Sequence, residues 1–378
     1  MTKHQKMKLF LTLLLLLACA TLSFIACSRK PMLQGTGSGS YGSINYSEGR
    51  FHNTVPTTLS SEDQNMFKAT IDFIKGSPDR MPEREIPVLS EFSDNRTDSD
   101  EMRLTWLGHS TCLIEIDGQT LLTDPMFSDR ASPFTFVGPK RFATDRNFTV
   151  DDLPEIDAVL ISHDHYDHLD RGTIMKLSSR VERFYVPLGV GAHLQRWGVG
   201  ENRIVELDWW EKTPQGPLTL VATPARHFSG RGILDRNKTL WASWTILGTK
   251  QRAFFSGDSG YFDGFKEIGE KFGPFDVTML ESGAYNDAWA DIHMRPEETV
   301  QAHLDLQGSA LLPIHWAKFN LALHPWTEPI ERLLSEAQRQ DVTALTPLQG
   351  QPVYPGRVEE QNSWWVSAES DYQDQAVF

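Results

Sequence analysis

His163, His165, Asp167 and His168 place four metal-ligating side chains within six residues, in the stretch Ser162-His163-Asp164-His165-Tyr166-Asp167-His168. Neutral imidazole nitrogens together with a carboxylate suit zinc and similar divalent ions. Packed together without a cation, the rings would compete for hydrogen bonds and would repel one another once protonated. The plain alternative is a surface loop rich in histidine.

Something rigid must aim these groups. Ala158-Val159-Leu160-Ile161 precedes them and reads as a buried strand, which puts the ligands where a strand gives way to a loop. Three later apolar runs share that feature. Leu218–Thr223 leads through Pro224-Ala225-Arg226 to His227, Ala253–Gly257 leads to Asp258, and Ala310–Ile314 leads to His315. Ligands at strand ends can converge on one edge of a sheet assembly. The set His163, His165, Asp167, His168, His227, Asp258 and His315 suffices for two metals sharing a carboxylate, a known hydrolytic device. Taken singly, His227 reads as a structural histidine and Asp258 as a turn residue.

The elements before the cluster are short. Leu104–Gly108 and Thr111–Ile116 are strand-like, Asp117-Gly118 predicts a hairpin turn, and Thr120–Pro125 is a third strand. A sheet that meanders and then alternates with helices is expected, in an α/β domain over 100–356. Helices are predicted from Glu297 to Leu306, with Pro296 in the first turn, and from Glu331 to Arg339. Trp209, Trp210, Trp241, Trp244, Phe319 and Trp326 read as core, or else as the lining of an acyl-chain groove.

The chain has 378 residues and a net charge of −14, which excludes nucleic acid as a partner because that needs a basic face. No pair of the three cysteines has C-x-x-C spacing, so no thiolate zinc site is expected, and Cys112 reads as a small buried residue. A homodimer is left open.

Residues 1–26 have a basic start and a long apolar run, the layout of a secretory signal. The run ends in Phe24-Ile25-Ala26-Cys27 and turns polar, which resembles a bacterial lipoprotein signal with Cys27 as the lipidated residue. Leu16-Leu17-Ala18-Cys19 competes, but the chain stays apolar after it. An uncleaved membrane anchor is the other reading. Either places the protein in a bacterial cell envelope, tied to the membrane and facing the periplasm or exterior. Residues 27–99 read as a tether, with Gly35–Ser40 its most flexible part, and a covering segment that includes a helix over Met66–Lys75. Residues 357–378 read as a polar tail.

The spacing of His163, His165, Asp167 and His168, followed by an isolated His, an Asp and a last His, resembles the metallo-β-lactamase-fold signature. The likeness is nearest to N-acyl-phosphatidylethanolamine-hydrolysing phospholipase D. It rests on Leu107–Ser110, Leu122–Ser128, Gly138–Phe142, Tyr166, Asp208–Glu211, Thr223–Ser229, Glu281–Tyr285 and Ile314–Trp316, and spans roughly residues 100–350. The resemblance implies a four-layer αβ/βα sandwich with two zinc ions at its edge, iron or manganese being alternatives. It implies His163, His165 and His227 on one metal, Asp167, His168 and His315 on the other, and Asp258 bridging them. Asp258, Asp167 and His168 are the implied catalytic residues, with His293, His303 and Arg226 toward substrate. One position departs: Ile292 stands where the enzyme family carries a phosphate-contacting Gln.

The function so implied is a phospholipase D-type phosphodiesterase acting on N-acyl-phosphatidylethanolamine or a similar phospholipid, with no serine nucleophile. Asp124 and His109 are candidates to orient the metal-binding rings. Ile292 keeps a second reading open, hydrolysis of another ester such as a lactone. A non-catalytic surface lipoprotein is a third, and the complete ligand set speaks against it.

Overall fold

The computed structural model describes residues 41–59, 75–76, 78–89, 101–232, 234–357 and 362–368. Cys27 and most of the helix expected at Met66–Lys75 lie outside the described residues. A small hairpin of β1 (Tyr46–Ser47) and β2 (Arg50–Phe51) comes first. Then follow β3 (Arg103–Trp106), β4 (Cys112–Ile116), β5 (Gln119–Thr123), β6 (Ile156–Leu160), α1 (Arg171–Leu177), β7 (Val181–Pro187), α2 (Gly191–Arg196) and β8 (Ile204–Leu207). The second half runs β9 (Lys212–Gln215), β10 (Leu218–Thr223), β11 (Ser243–Leu247), β12 (Arg252–Phe255), α3 (Gly264–Phe272) and β13 (Phe275–Glu281). It closes with α4 (Pro296–Asp305), β14 (Gly308–Ile314), α5 (Glu328–Arg339), β15 (Thr343–Ala344), β16 (Pro352–Val353) and the short α6 (Trp364–Ser367).

Two seven-stranded sheets result, ordered β16-β3-β4-β5-β6-β7-β8 and β15-β14-β13-β12-β11-β10-β9. Each is antiparallel at one end and parallel at the other, the change falling at β5–β6 and at β12–β13. The predicted Asp117-Gly118 turn joins β4 to β5, with φ of 49° and 74°, the left-handed pair that a two-residue hairpin requires.

Strand side chains alternate between faces, and here both faces are buried. In β6, Ala158 and Leu160 enter the core between the sheets, while Val159 packs outward with Ile174 and Leu177 of α1. In β14, Ala310, Leu312 and Ile314 face the central core and Leu311 faces α4 and α5 through Val300 and Leu333. The layers are therefore α/β/β/α, the four-layer sandwich that the resemblance implied. Cys112 is fully buried in the central core, and burial pushes its thiol pKa up.

The described ends of the chain join this core. Phe51 is fully buried, with the Tyr41 and Tyr46 rings 5.2 and 4.8 Å away. At the other end the tail reading for 357–378 needs correction, because Trp364 and Trp365 are buried among Trp106, Trp316 and Trp326. The Trp106 and Trp316 rings stack at 5.6 Å, and Trp316 and Trp364 at 5.2 Å. Acidic neighbours mask this pair in the sequence, but two indoles bury enough apolar surface to hold the segment down. Of the other aromatics, Trp209, Trp241, Trp244, Phe319 and Trp326 are buried in the core, and Trp210 packs half-buried against it. Among the described residues no helix is long and apolar enough to cross a membrane.

Candidate metal centre

The C-terminal ends of strands from both sheets meet at one edge. The first sheet brings His109 after β3, Asp124 after β5 and Ser162–His168 after β6. The second brings His227 after β10, Asp258 after β12, Glu281 at the end of β13 and His315 after β14. Backbone strain collects here. His109, Asp124 and His315 have φ of 56°, 33° and 64°, a conformation that costs a non-glycine residue roughly 1–3 kcal/mol. Gly257 has φ of 56°, and a Cβ there would stand 2.4 Å from the Ser162 Cβ, so only glycine lets the Asp258 loop pass the His163 loop.

The side chains fall into two groups. His163 Nε2, His165 Nδ1 and His227 Nε2 face one another, with His165 Nδ1 2.8 Å from the first and 3.3 Å from the second. Asp167 Oδ2 lies 3.3 Å from both His168 Nε2 and His315 Nε2. Asp258 reaches both groups. Its Oδ2 is 3.8 and 3.7 Å from the Nε2 atoms of His163 and His227 and 3.1 Å from His168 Nε2, and its Oδ1 is 3.2 Å from His315 Nε2.

The far side of each ring explains which nitrogen faces inward. His168 Nδ1 donates to Asp124 Oδ2 at 2.7 Å. His227 Nδ1 donates to the Ile292 carbonyl at 2.9 Å. The Ser162 hydroxyl donates to Asp124 Oδ2 at 2.5 Å and accepts from His163 Nδ1 at 2.9 Å. With Nδ1 committed as donor, each neutral ring presents a bare Nε2 lone pair to the centre. The loop itself is clamped from outside. Arg231 donates to the carbonyls of Asp164 and Leu169 and lies 4.0 Å over the Tyr166 ring, whose hydroxyl donates to the Arg231 carbonyl.

The electrostatics divide along the same line. Burial first, and then neighbouring histidines, hold His163 and His227 well below the usual imidazole range. Burial also lowers His165. Burial pulls His168 and His315 down too, but Asp258 and Asp167 outweigh it, leaving His168 well above its ordinary value and His315 at about 10. Burial works against ionising Asp167 and Asp258, yet His168 and its neighbours hold both well below the carboxylate range.

A divalent cation fits these donors. His163 and His227 already give their Nδ1 protons elsewhere, so a proton on His165 Nδ1, 2.8 and 3.3 Å from their Nε2 atoms, can satisfy at most one of these two lone pairs well, whereas a cation takes all three nitrogens. His168 Nε2 and Asp258 Oδ1 are buried without a hydrogen-bond partner, an arrangement that a ligated ion relieves. His163, His165, His227 and Asp258 form one potential metal-holding set, and Asp167, His168, His315 and His109 another.

All seven expected ligands thus stand together; of the three expected substrate residues, His293 stands beside them, grouped with Asp258, Glu281 and His315, and the other two do not. The His293 ring lies 5.1 Å from that of His227 and 5.5 Å from that of His315, at the rim. His303 lies apart from the cluster, buried on α4 with Nδ1 2.7 Å from Thr278 Oγ1. Arg226 is spent on Asp291, 2.9 Å away, and on the Pro56 and Tyr261 carbonyls. Ile292 is buried and serves through its backbone carbonyl, which any residue could supply.

Two contributors were not expected from the sequence. Ser162 bridges Asp124 and His163, and its place one residue before His163 at a strand end was the available signal. Glu281 is fully buried, accepts from the Ser259 and Met294 N–H groups, and lies 3.1 Å from His293 Nδ1. It too ends an apolar strand. His109 stands 3.0 Å from Asp167 Oδ2, and burial followed by His315 depresses its pKa to about 3.

Comparison with known proteins agrees with this geometry. The chain matches the model of the β-lactamase superfamily domain over residues 119–316. An uncharacterized protein of Mycobacterium tuberculosis is 48% identical over 328 residues, spanning 85% of this chain and 87% of that protein. N-acyl-phosphatidylethanolamine-hydrolyzing phospholipase D 1 of Caenorhabditis elegans is 34% identical over 261 residues, spanning 66% of this chain and 73% of the worm protein. The crystal structure of CmlA, a diiron β-hydroxylase from Streptomyces venezuelae, superposes with a TM-score of 0.51 at 22% identity, over 68% of this chain and 54% of CmlA. That identity speaks for the fold alone. The chain belongs to the β-lactamase superfamily, as a metal-dependent hydrolase on the metallo-β-lactamase fold.

Proposed function

We propose that this protein is a dinuclear zinc phosphodiesterase of the phospholipase D type. In this reading it releases phosphatidic acid and an N-acylethanolamine from N-acyl-phosphatidylethanolamine or a similar phospholipid. The observation that carries the proposal is Asp258, which reaches a three-histidine group and an Asp/His/His group with one carboxylate. The kinship with the worm phospholipase D supports the substrate class.

Two divalent ions at these groups would supply Lewis acidity toward a phosphoryl oxygen and toward water near neutral pH. His163, His165 and His227 would hold one ion, Asp167, His168 and His315 the other. Asp258 would serve both groups and orient the attacking water, with Asp167 and His168 beside it. Asp124, Ser162 and the Ile292 carbonyl keep the rings in the tautomer the ions need. Glu281 accepts a hydrogen bond from His293 Nδ1, which leaves Nε2 as the nitrogen available to a substrate oxygen. The proposed location is the cell envelope of a bacterium, facing the periplasm or exterior, with Cys27 as the lipid anchor, on the strength of the N-terminal sequence.

Ile292 supports a second reading. Its apolar side chain offers a phosphate nothing, so hydrolysis of a carboxylic ester such as a lactone stays in contention. One experiment decides. Zinc-loaded protein is incubated with N-acyl-phosphatidylethanolamine and phosphatidic acid is followed by mass spectrometry. Product formation is expected; turnover of a lactone with no product from any phospholipid would overturn the phosphodiesterase reading.

A further inference from the structure

Residues 50–58 lie outside the family match at 119–316, and they cross two of the loops that build the centre, the one that follows β10 and the one that follows β13. Their course is set by ordinary packing. The fully buried Phe51 holds one end, its N–H donating to the Asn237 carbonyl at 2.8 Å. The Arg50 guanidinium donates to the Arg236 carbonyl. From there the chain passes directly over the backbone of His227.

Asn53 grips that backbone at two points. Its Nδ2 donates to the His227 carbonyl at 2.8 Å, and its Oδ1 accepts from the His227 N–H at 3.2 Å. The same Oδ1 accepts from Trp241 Nε1 at 3.1 Å, so a core indole fixes the amide. Further along, the Pro56 carbonyl accepts from Arg226 at 2.8 Å, and the Thr58 N–H donates to Asp291 Oδ2 at 2.8 Å. Arg226 pairs with Asp291 at 2.9 Å. Its N–H donates to Ser259 Oγ, beside Asp258, at 2.9 Å.

These contacts close a loop around one ligand. The His227 ring is held through Nδ1 by the carbonyl of Ile292, next to Asp291, and its backbone is held by Asn53. His168 and His163, by contrast, are oriented by Asp124 and Ser162 of their own sheet. We infer that residues 50–58 are a strap that positions His227, with Asn53 its main positioning residue. The strap thereby sets metal affinity at the His163/His165/His227 group and leaves the Asp167/His168/His315 group untouched.

The test uses the full chain and Co2+ as probe. Bound Co2+ is counted by elemental analysis and by visible absorption during titration with a chelator, for wild type, Asn53→Ala and Asn53→Asp. Two Co2+ per wild-type chain are expected. Asn53→Ala should lose one of them at a chelator concentration roughly 10–100-fold lower, the usual effect of removing a partner that orients a ligand. The other should leave as in wild type. Asn53→Asp keeps the acceptor for His227 N–H and Trp241 but cannot donate to the carbonyl, and should fall between; it carries the test if the alanine variant does not fold. Equal weakening of both ions, or a folded variant with unchanged release of both, overturns the strap. A wild-type chain that takes up no Co2+ sinks the metal centre as well, which distinguishes the two failures.

Discussion

Asp124 Oδ2 and His168 Nδ1 face each other at 2.7 Å, both fully buried, at the ends of neighbouring parallel strands β5 and β6. The carboxylate also accepts the backbone N–H and the hydroxyl of Ser162, so one buried acid organises two rings of the centre. Burial raises the Asp124 pKa, and His168 and Ser162 work against that rise.

Asp124→Asn should therefore act at a distance. The amide keeps the volume but cannot serve Ser162 and His168 as the charged acid does. Metal affinity should drop by about 10–100-fold while the far-UV spectrum stays native. Competition with a calibrated chelator measures it, and wild-type affinity in the variant would show that Asp124 does not orient the rings.

Asp258→Asn tests the bridge. An amide offers one oxygen where the carboxylate offers two, and no charge. Turnover should fall by about a hundredfold or more, and one of two ions should be lost. Elemental analysis alongside a lipid or lactone assay reads both; retained turnover contradicts the bridging assignment.

His293→Gln and Glu281→Gln separate chemistry from metal binding. Neither residue is among the seven proposed ligands, so metal content should hold. Rates should fall by about 10–100-fold for His293→Gln, the loss expected when a hydrogen bond to a charged substrate oxygen is removed, and less for Glu281→Gln. Loss of metal in His293→Gln would mark it as a ligand instead.

His303 gives a pH signature of stability. Burial depresses its folded-state pKa to about 4, against an ordinary 6.5 in the unfolded chain. Between these values the unfolded chain binds a proton that the folded chain refuses. Stability should thus be lost as pH falls from about 6.5 to about 4, by up to about 3 kcal/mol from this residue. Denaturant titration of wild type and His303→Gln across that range should show a shallower decline in the variant. Parallel declines would place the sensitivity elsewhere.

The strands and the ligand cluster were legible because their signals are local, whereas the four-layer sandwich was implied by the family resemblance. Ala158–Ile161 and Ala310–Ile314 are apolar runs long enough to read as buried strands, and each ends in chemistry. Asp117-Gly118 announced its turn through backbone preference alone. What escaped depends on distant pairing. Asn53 sits in a polar stretch with nothing to mark it, yet its partner is His227. Trp364 and Trp365 are masked by acidic neighbours, and their value lies in Trp106 and Trp316. Glu281 closes an apolar strand as the ligands do, but only the fold shows that it meets His293. Arg226 and His303 misled for the converse reason: a residue type suited to substrate was already committed to structure.

The split origin of the centre has a consequence for assembly. His163 to His168 come from the first sheet, while His227, Asp258 and His315 come from the second. Metal held there would be a cross-link between two halves of the sandwich, much as a disulfide is. Its coordination could be completed only after β14 had been laid down and the halves had docked. Tight metal uptake would then report finished folding, and a chelator would loosen the seam between the sheets before either sheet unravelled.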